Sequence, residues 1–272
     1  MTFRFGVNMV AVGDRAEWTA KCQQAEALGY DVILVPDHLG MPAPFPSLML
    51  AAAATSRVRL GTFVLNAAFY NPAVLARDVA AVAEYTGGRL ELGLGTGYAR
   101  AEFEEAGLGW PSASARVDHL ERTVAALAET SVPLLIGGNG DRVLRLAATH
   151  ADVVAFAGVK PSREDGKLSA VAAAELDSRV SLVRSVAGDR QYESNILVQM
   201  VVITDDRRAV AESLRAQYGV DELLSWPNFL AGQPAEIAAQ LLAHRERFGF
   251  SYITVLEPAL TDFAPVIKLL KE

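Results

Sequence analysis

The sequence predicts an α/β protein of the (β/α)8 barrel class, and three observations carry that expectation. Eight short apolar runs alternate with helical patterns over 272 residues, close to the ~250 typical of such barrels. The stretch from Arg59 to Gly97 reads strand, long helix, strand, a unit that makes a parallel sheet. Several apolar runs end in small or polar residues, the kind that line the C-terminal mouth of a barrel. A doubly wound open sheet is the rival pattern. No linker-like, low-complexity or repeated segment divides the chain, so residues 1–272 are expected to form one domain.

Each element follows from local chemistry. Phe3 to Asn8 alternates weakly and reads as the first strand. Asp14 with Glu17 resembles a capping box, after which Trp18, Cys22, Ala25 and Leu28 recur at helical spacing until Gly29. Asp31 to Val35 is the second strand, followed at once by Pro36, Asp37 and His38. Pro42 to Pro46 reads as a loop and Ser47 to Thr55 as a short helix. Arg59 to Leu65 is the third strand. Asn71 caps the next helix, whose first position, Pro72, loses nothing by lacking an N–H, and Gly87 and Gly88 stop it. Leu90 to Leu94 is the fourth strand. Ala101 to Trp110 is a short helix or loop, and Ser112 or Ser114 caps a helix burying Val117, Leu120, Val124 and Leu127. Pro133 to Ile136 and Asp152 to Phe156 are strands five and six, separated by a helix from Arg142 to His150. Gly158 to Gly166 reads as a polar, mobile loop, Leu168 to Val186 as a helix, Ile196 to Thr204 as strand seven and Arg207 to Tyr218 as a helix. A helix from Pro234 to Phe248, strand eight from Ser251 to Leu256 and a closing helix from Asp262 to Leu270 complete the pattern.

Composition narrows the function. Hydrophobic residues make up 51% of the chain, enough for a sizeable core. A net charge of -7 without a basic stripe argues against nucleic acid as a partner. Cys22 is the only cysteine, which excludes an internal disulfide and a cysteine-based metal cluster. No signal peptide or 18-residue apolar run is visible. The expectation is a soluble cytoplasmic protein with no membrane or metal.

A barrel places its site at the strand ends, which here offer Asn8, Asp37, His38, Asn66, Thr96, Tyr98, Asn139 and Glu257. Metalloprotease and serine-elbow motifs are missing. Asp37 beside His38 is the sharpest pair, suited to orienting a ring or moving a proton near neutral pH; equally, it serves to cap a turn. Gly137, Gly138, Asn139 and Gly140 precede a helix and suit a phosphate, with Arg142 as an added charge. The same glycines also fit an ordinary tight turn, and the Asp141 carboxylate competes for the same amides. Gly93, Gly95 and Gly97 alternate, leaving one strand face without side chains, either for a flat ligand or for close packing. Glu91 is buried by pattern and expected to hydrogen-bond inside the barrel. His119, His150, His244 and Cys22 read as structural, while Trp110 and Trp226 lie in loops that could cover a ligand.

Taken together, these blocks resemble the bacterial luciferase-like monooxygenase superfamily, and within it the actinobacterial deazaflavin-dependent oxidoreductases. The resemblance rests on FRFGVN, on Ala25 to Gly40 (AEALGYDVILVPDHLG), on LGTFVLNAAFYNPAVLARDVA, on RLELGLGTGYARAEFEEAGL, on PLLIGGNGDRVLRLAATHAD and on FGFSYITVLEP. It implies a luciferase-like barrel holding coenzyme F420, or alternatively FMN, at its mouth, with Asp37 and His38 beside the ring. It implies a non-proline cis peptide at Thr62-Phe63 backing that ring, Asn66, Gly95, Thr96 and Gly97 flanking it, and Gly137, Gly138 and Asn139 on the phosphate side. Asn8 and Arg142 complete the expected cofactor set. Three departures stand out: Tyr98 replaces an acidic proton donor found in some relatives, Asp141 replaces a frequent proline, and the chain is short for the superfamily. The implied function is hydride transfer between F420 and a small organic substrate, with His38, Asp37 and Tyr98 as the catalytic candidates and a homodimer as the expected assembly. The alternatives are an FMN-dependent monooxygenase, a non-catalytic flavin-binding or storage protein, and a phosphate-binding lyase or isomerase; the last lacks an evident lysine or carboxylate pair at the strand ends.

Overall fold

A computed structural model describes residues 2–10, 13–161, 168–215 and 220–272. Eight parallel strands carry the architecture: β1 Arg4–Asn8, β2 Val32–Val35, β3 Arg59–Thr62, β4 Leu90–Gly95, β5 Leu134–Gly138, β6 Val153–Phe156, β7 Glu193–Val198 and β8 Phe250–Leu256. They pair in chain order, and β1 also pairs with β8, Arg4 opposite Tyr252. That pairing closes the sheet, so the barrel stands and the open doubly wound sheet does not. The strands are apolar on both sides because their outer faces meet helices and their inner faces meet each other.

The helices are α1 Arg15–Ala27, α2 Pro44–Ala54, α3 Pro72–Tyr85, α4 Arg100–Glu105, α5 Ala113–Ala126, α6 Asp141–His150, α7 Ala173–Ala187, α8 Arg207–Ser213, α9 Val220–Ser225, α10 Pro234–Phe248 and α11 Ala264–Lys271. Their starts follow the expected chemistry. Asp14 and Glu17 form the capping box of α1, and Asn71 accepts from Ala73 N and Val74 N ahead of Pro72 in α3, satisfying backbone donors that a helix leaves unpaired.

Inside the barrel the floor is charged. Arg4 bonds Glu91 at 2.7 Å and Glu193 at 2.6 Å, and Arg59 also pairs with Glu91; Glu91 is 4% exposed. The Arg4 guanidinium lies 4.4 Å from the centre of the Tyr252 ring. Burial pushes Arg4 down, and Glu91, Tyr252 and Glu193 overcome it, leaving the group above its ordinary range. Above this floor Val32, Leu34, Leu135, Val153, Ala155 and Tyr252 fill the interior. The barrel interior is therefore filled above a charged floor.

Five expectations shift. Strand three breaks after Thr62 and resumes at Leu65–Asn66, which pairs with β4. Strand seven is two strands: β7 stays in the barrel, while Met200–Ile203 leaves it to pair with Phe229–Gly232 in a separate parallel sheet. The divergence is driven by Asn228, whose carbonyl accepts from Gln199 N and Met200 N. The helix expected from Leu168 begins at Ala173, and Leu168–Ala170 pairs antiparallel with Val159–Pro161. The short helix expected from Ser47 starts at Pro44, using that proline in its first turn. Trp226, expected in an open loop, is 8% exposed and packs with Ala211, Leu223, Phe229 and Ala231. Residues 162–167 of the expected mobile loop lie outside the described residues, as do residues 216–219 at the end of the expected Arg207 to Tyr218 helix.

Candidate active site

The exits of β2, β3 and β4 converge on one cluster. His38 follows β2, and its Nδ1 lies 2.7 Å from Glu102 Oε1 on α4. The Tyr98 ring, just after β4, stands edge-on to His38 at 5.8 Å between centroids, and burial followed by the nearby Glu102 charge raises its pKa. Asp37 is not the partner of His38 in this arrangement. Its Oδ2 accepts from Asn66 N at 3.0 Å, and it hydrogen-bonds the Tyr70 hydroxyl. Burial raises the Asp37 pKa, while these two bonds pull it back. Asp37 thus ties the β2 exit to the β3 exit.

The β3 exit is built around Thr62 rather than open to a ligand. The Thr62 hydroxyl donates to Gly93 O at 2.8 Å and accepts from Gly93 N at 2.9 Å, replacing backbone pairing where the strand breaks. The cis peptide bond is Phe63-Val64, not Thr62-Phe63: the two bonds to Gly93 keep Thr62 in register, so the irregularity falls one residue later. Thr62 is 1% exposed, whereas Phe63 and Val64 are partly buried against the interior. Asn66 closes the turn by accepting from Ala68 N.

The glycines divide into two kinds. A Cβ on Gly93 would lie 2.1 Å from Thr62 O, and one on Gly97 2.5 Å from Asn66 Oδ1, so both serve close packing. Gly97 also has φ +71°. Gly95 is tight against Val64 at 2.8 Å and Gly138 against Val143 at 2.8 Å. By contrast, a Cβ on Gly137 would meet nothing nearer than 3.6 Å, and one on Gly140 nothing within 4 Å. The β5 end therefore has room at Gly137 that Gly95 on β4 lacks. Opposite, Asn8 is 5% exposed and its Oδ1 is buried without a hydrogen-bond partner, an acceptor that a ligand donor would satisfy. Thr96 is half-buried between these groups and the His38 cluster.

On the far side of the mouth, α6 begins after Gly140 with no side-chain cap, leaving backbone N–H groups for an anion. Asn139 is committed elsewhere: Nδ2 donates to Val159 O at 2.7 Å and Oδ1 accepts from Arg179 Nη1 at 2.6 Å. Arg142 turns away from the helix start, pairing with Asp118 at 2.6 Å and Glu121 at 2.5 Å; at the surface, two carboxylates outcompete the turn. Arg179, which pairs with Glu175 at 2.6 Å and is 8% exposed, is the cation under this turn. Burial lowers its pKa, against Glu175 and Asp141. Glu257 braces the β1 exit by accepting from Val10 N at 2.9 Å and Lys21 Nζ at 2.6 Å.

Sequence reasoning missed Glu102 and Arg179. Glu102 had a readable signal, since it follows Tyr98 by four residues at the start of a helical stretch. Arg179 had none, because its partner Asn139 is 40 residues away. Among the described residues no group of three or more His, Cys, Asp or Glu could hold a metal ion, and no helix is long and apolar enough to cross a membrane.

The family model described as luciferase-like monooxygenase matches residues 2–131, the half that supplies Asn8, His38, the Thr62–Gly93 lock and Glu102. An F420-dependent glucose-6-phosphate dehydrogenase of Kribbella flavida is 40% identical over 110 residues, covering 37% of this chain and 33% of that protein. One of the same description from Nakamurella multipartita is 27% identical over 248 residues, covering 73% of each. Among solved structures, an F420-dependent secondary alcohol dehydrogenase in complex with an F420-acetone adduct superposes with a TM-score of 0.78 at 17% identity, covering 99% of this chain and 98% of that one; at that identity the likeness speaks for the barrel fold alone.

Proposed function

We propose that this chain is an oxidoreductase that transfers a hydride between coenzyme F420 and a small organic substrate, working as one barrel domain over residues 1–272. The observation that carries this reading is that both sequence relatives are F420-dependent by name. The mouth fits such a group: uncrowded backbone at Gly137, the unpartnered Asn8 Oδ1, and the uncapped start of α6 suit a flat polar ring with an anionic tail. Asn8, Asn66, Gly95, Thr96, Gly97 and Gly137 would hold the ring, and Gly138, Gly140 and the first turn of α6 the phosphate. The bound cofactor supplies the hydride chemistry. The chain itself orients the ring against a rigid wall, excludes water, and holds a proton at His38 or Tyr98, with Asp37 fixing the loop that carries His38. Leu39, Tyr98, Leu108 and Trp110 stand exposed on the exits of β2 and β4 and suit an uncharged organic substrate. Exposed Val74 and Tyr85 on α3 offer a face for a homodimer, and the free, buried Cys22 suits a reducing cytoplasm.

The family description favours one second reading, an FMN-dependent monooxygenase in the same mouth. The two separate by assay. The purified protein is mixed with F420 and a panel of secondary alcohols and sugar phosphates while cofactor bleaching is followed, and separately with reduced FMN under an oxygen electrode. Bleaching without oxygen uptake is the expected result. Oxygen uptake without bleaching overturns the F420 reading.

A further inference from the structure

We propose that Glu102 is a positioning residue that fixes the His38 imidazole in the tautomer protonated at Nδ1, leaving Nε2 bare at the mouth. A carboxylate only accepts hydrogen bonds, so the 2.7 Å contact between Glu102 Oε1 and His38 Nδ1 places a hydrogen on Nδ1. Asp37, the carboxylate adjacent in sequence, is engaged by Asn66 N and Tyr70 and leaves this task to Glu102. Glu102 is itself held in place. Its neighbour Phe103 is 1% exposed and packs between Phe69 at 5.7 Å and Trp110 at 5.0 Å, anchoring α4 against the β3 exit. The edge-on Tyr98 ring walls one side of the imidazole.

The tautomer assignment needs no cofactor. Its catalytic meaning rests on the proposed function: Nε2 would take the hydroxyl proton of an alcohol as its C–H hydride passes to oxidised F420, the alcohol becoming a carbonyl, and the imidazolium so formed would lie against the Glu102 carboxylate. In the reverse direction the same proton returns to the forming alkoxide. A carboxylate one helical turn beyond Tyr98 thus serves His38 where the residue after the Gly95–Gly97 turn is not acidic.

The test is long-range ¹H–¹⁵N correlation on ¹⁵N-histidine-labelled protein without cofactor, at a pH where the rings are neutral. There are four histidines, and the His38 signals are assigned by their loss in His38→Asn. The wild-type spectrum alone decides the tautomer, whatever the variants do: a pattern of Nδ1–H supports the proposal, and Nε2–H overturns it. Glu102→Gln, whose amide also donates, converts the pattern to a mixture or to Nε2–H, whereas exposed Glu105→Gln on the same helix leaves it unchanged. An unchanged pattern in folded Glu102→Gln overturns the proposal. With F420 bound, Glu102→Gln lowers kcat by about 100-fold or more with the F420 Kd within about twofold of wild type; a kcat within about threefold of wild type overturns it. Should F420 not bind the wild type, the functional reading fails while the tautomer result stands.

Discussion

Gly93 and Gly137 are both glycines on barrel strands facing the interior, yet substitution to alanine is expected to act in opposite directions. A methyl at Gly93 falls 2.1 Å from the Thr62 carbonyl oxygen and 3.1 Å from Val64 Cγ1. The first is a backbone atom of the residue whose hydroxyl donates to Gly93 O and accepts from Gly93 N, so relief requires moving β3 away from β4. Overpacking of this kind costs about 1–3 kcal/mol, and weakening the two bonds adds about 1 kcal/mol. The unfolded-state entropy gained by removing a glycine returns only about 0.4–1 kcal/mol. Gly93→Ala should therefore lose about 2 kcal/mol, a fall in Tm of about 4–8 °C for a chain of this size. A methyl at Gly137 meets Ala155 Cβ at 3.6 Å and Val64 Cγ1 at 3.7 Å, ordinary contacts, and no left-handed backbone is involved. Gly137→Ala should be as stable as wild type or gain up to about 1 kcal/mol, while narrowing the mouth and weakening F420 binding. Urea and thermal unfolding read the first effect, and cofactor titration the second. A Gly93→Ala protein melting within about 2 °C of wild type would refute the packing argument; so would a Gly137→Ala protein that unfolds as easily as Gly93→Ala.

Three further outcomes follow from the same structure. Thr62→Val leaves Gly93 N and O without their buried partner and should cost about 2–4 kcal/mol in urea unfolding, with no change in fold by circular dichroism. Glu91→Gln removes the charge shared by Arg4 and Arg59 in the barrel floor and should cost about 3 kcal/mol, the low end for a broken buried pair, since both arginines reach solvent. Glu26 accepts from the backbone of the loop before β3; burial acts upward, but the Val58, Arg57 and Ser56 N–H groups hold its pKa down to about 2. A lowered folded-state pKa contributes stability above the unfolded value of about 4.3 that is lost as pH falls toward about 2. The stability gap between wild type and Glu26→Gln should be constant above about pH 5 and close between about pH 4 and 2.

Much of the barrel was legible because its strands are apolar runs closed by glycine, proline and cap residues, features that act within a few residues of themselves. Asn71, Pro72 and Asp14 began the helices they were expected to begin. What escaped depended on partners distant in sequence. Thr62 reads as the middle of one strand from Arg59 to Leu65 until Gly93, 31 residues away, takes both of its hydrogen bonds and the strand breaks after it. Arg142 reads as a phosphate ligand until Glu121 and Asp118 turn it outward. Strand seven reads as one apolar run, since periodicity cannot register the point where Asn228 draws Met200 out of the sheet. At the site, Asp37 and His38 were visible as a pair by adjacency, but the geometry separates them: Asp37 serves the Asn66 turn and Glu102 serves His38. The alternating glycines were visible as a feature, and only the packed chain shows that Gly93 and Gly97 are filled while Gly137 has room for a methyl.

The most direct test of the account is a fluorescence titration of the cofactor-free protein with coenzyme F420 and, separately, with FMN. The account predicts saturable F420 binding at micromolar concentration, much weaker FMN binding, and loss of F420 affinity in the stably folded Gly137→Ala protein. Tighter binding of FMN than of F420, or binding of neither, would contradict it.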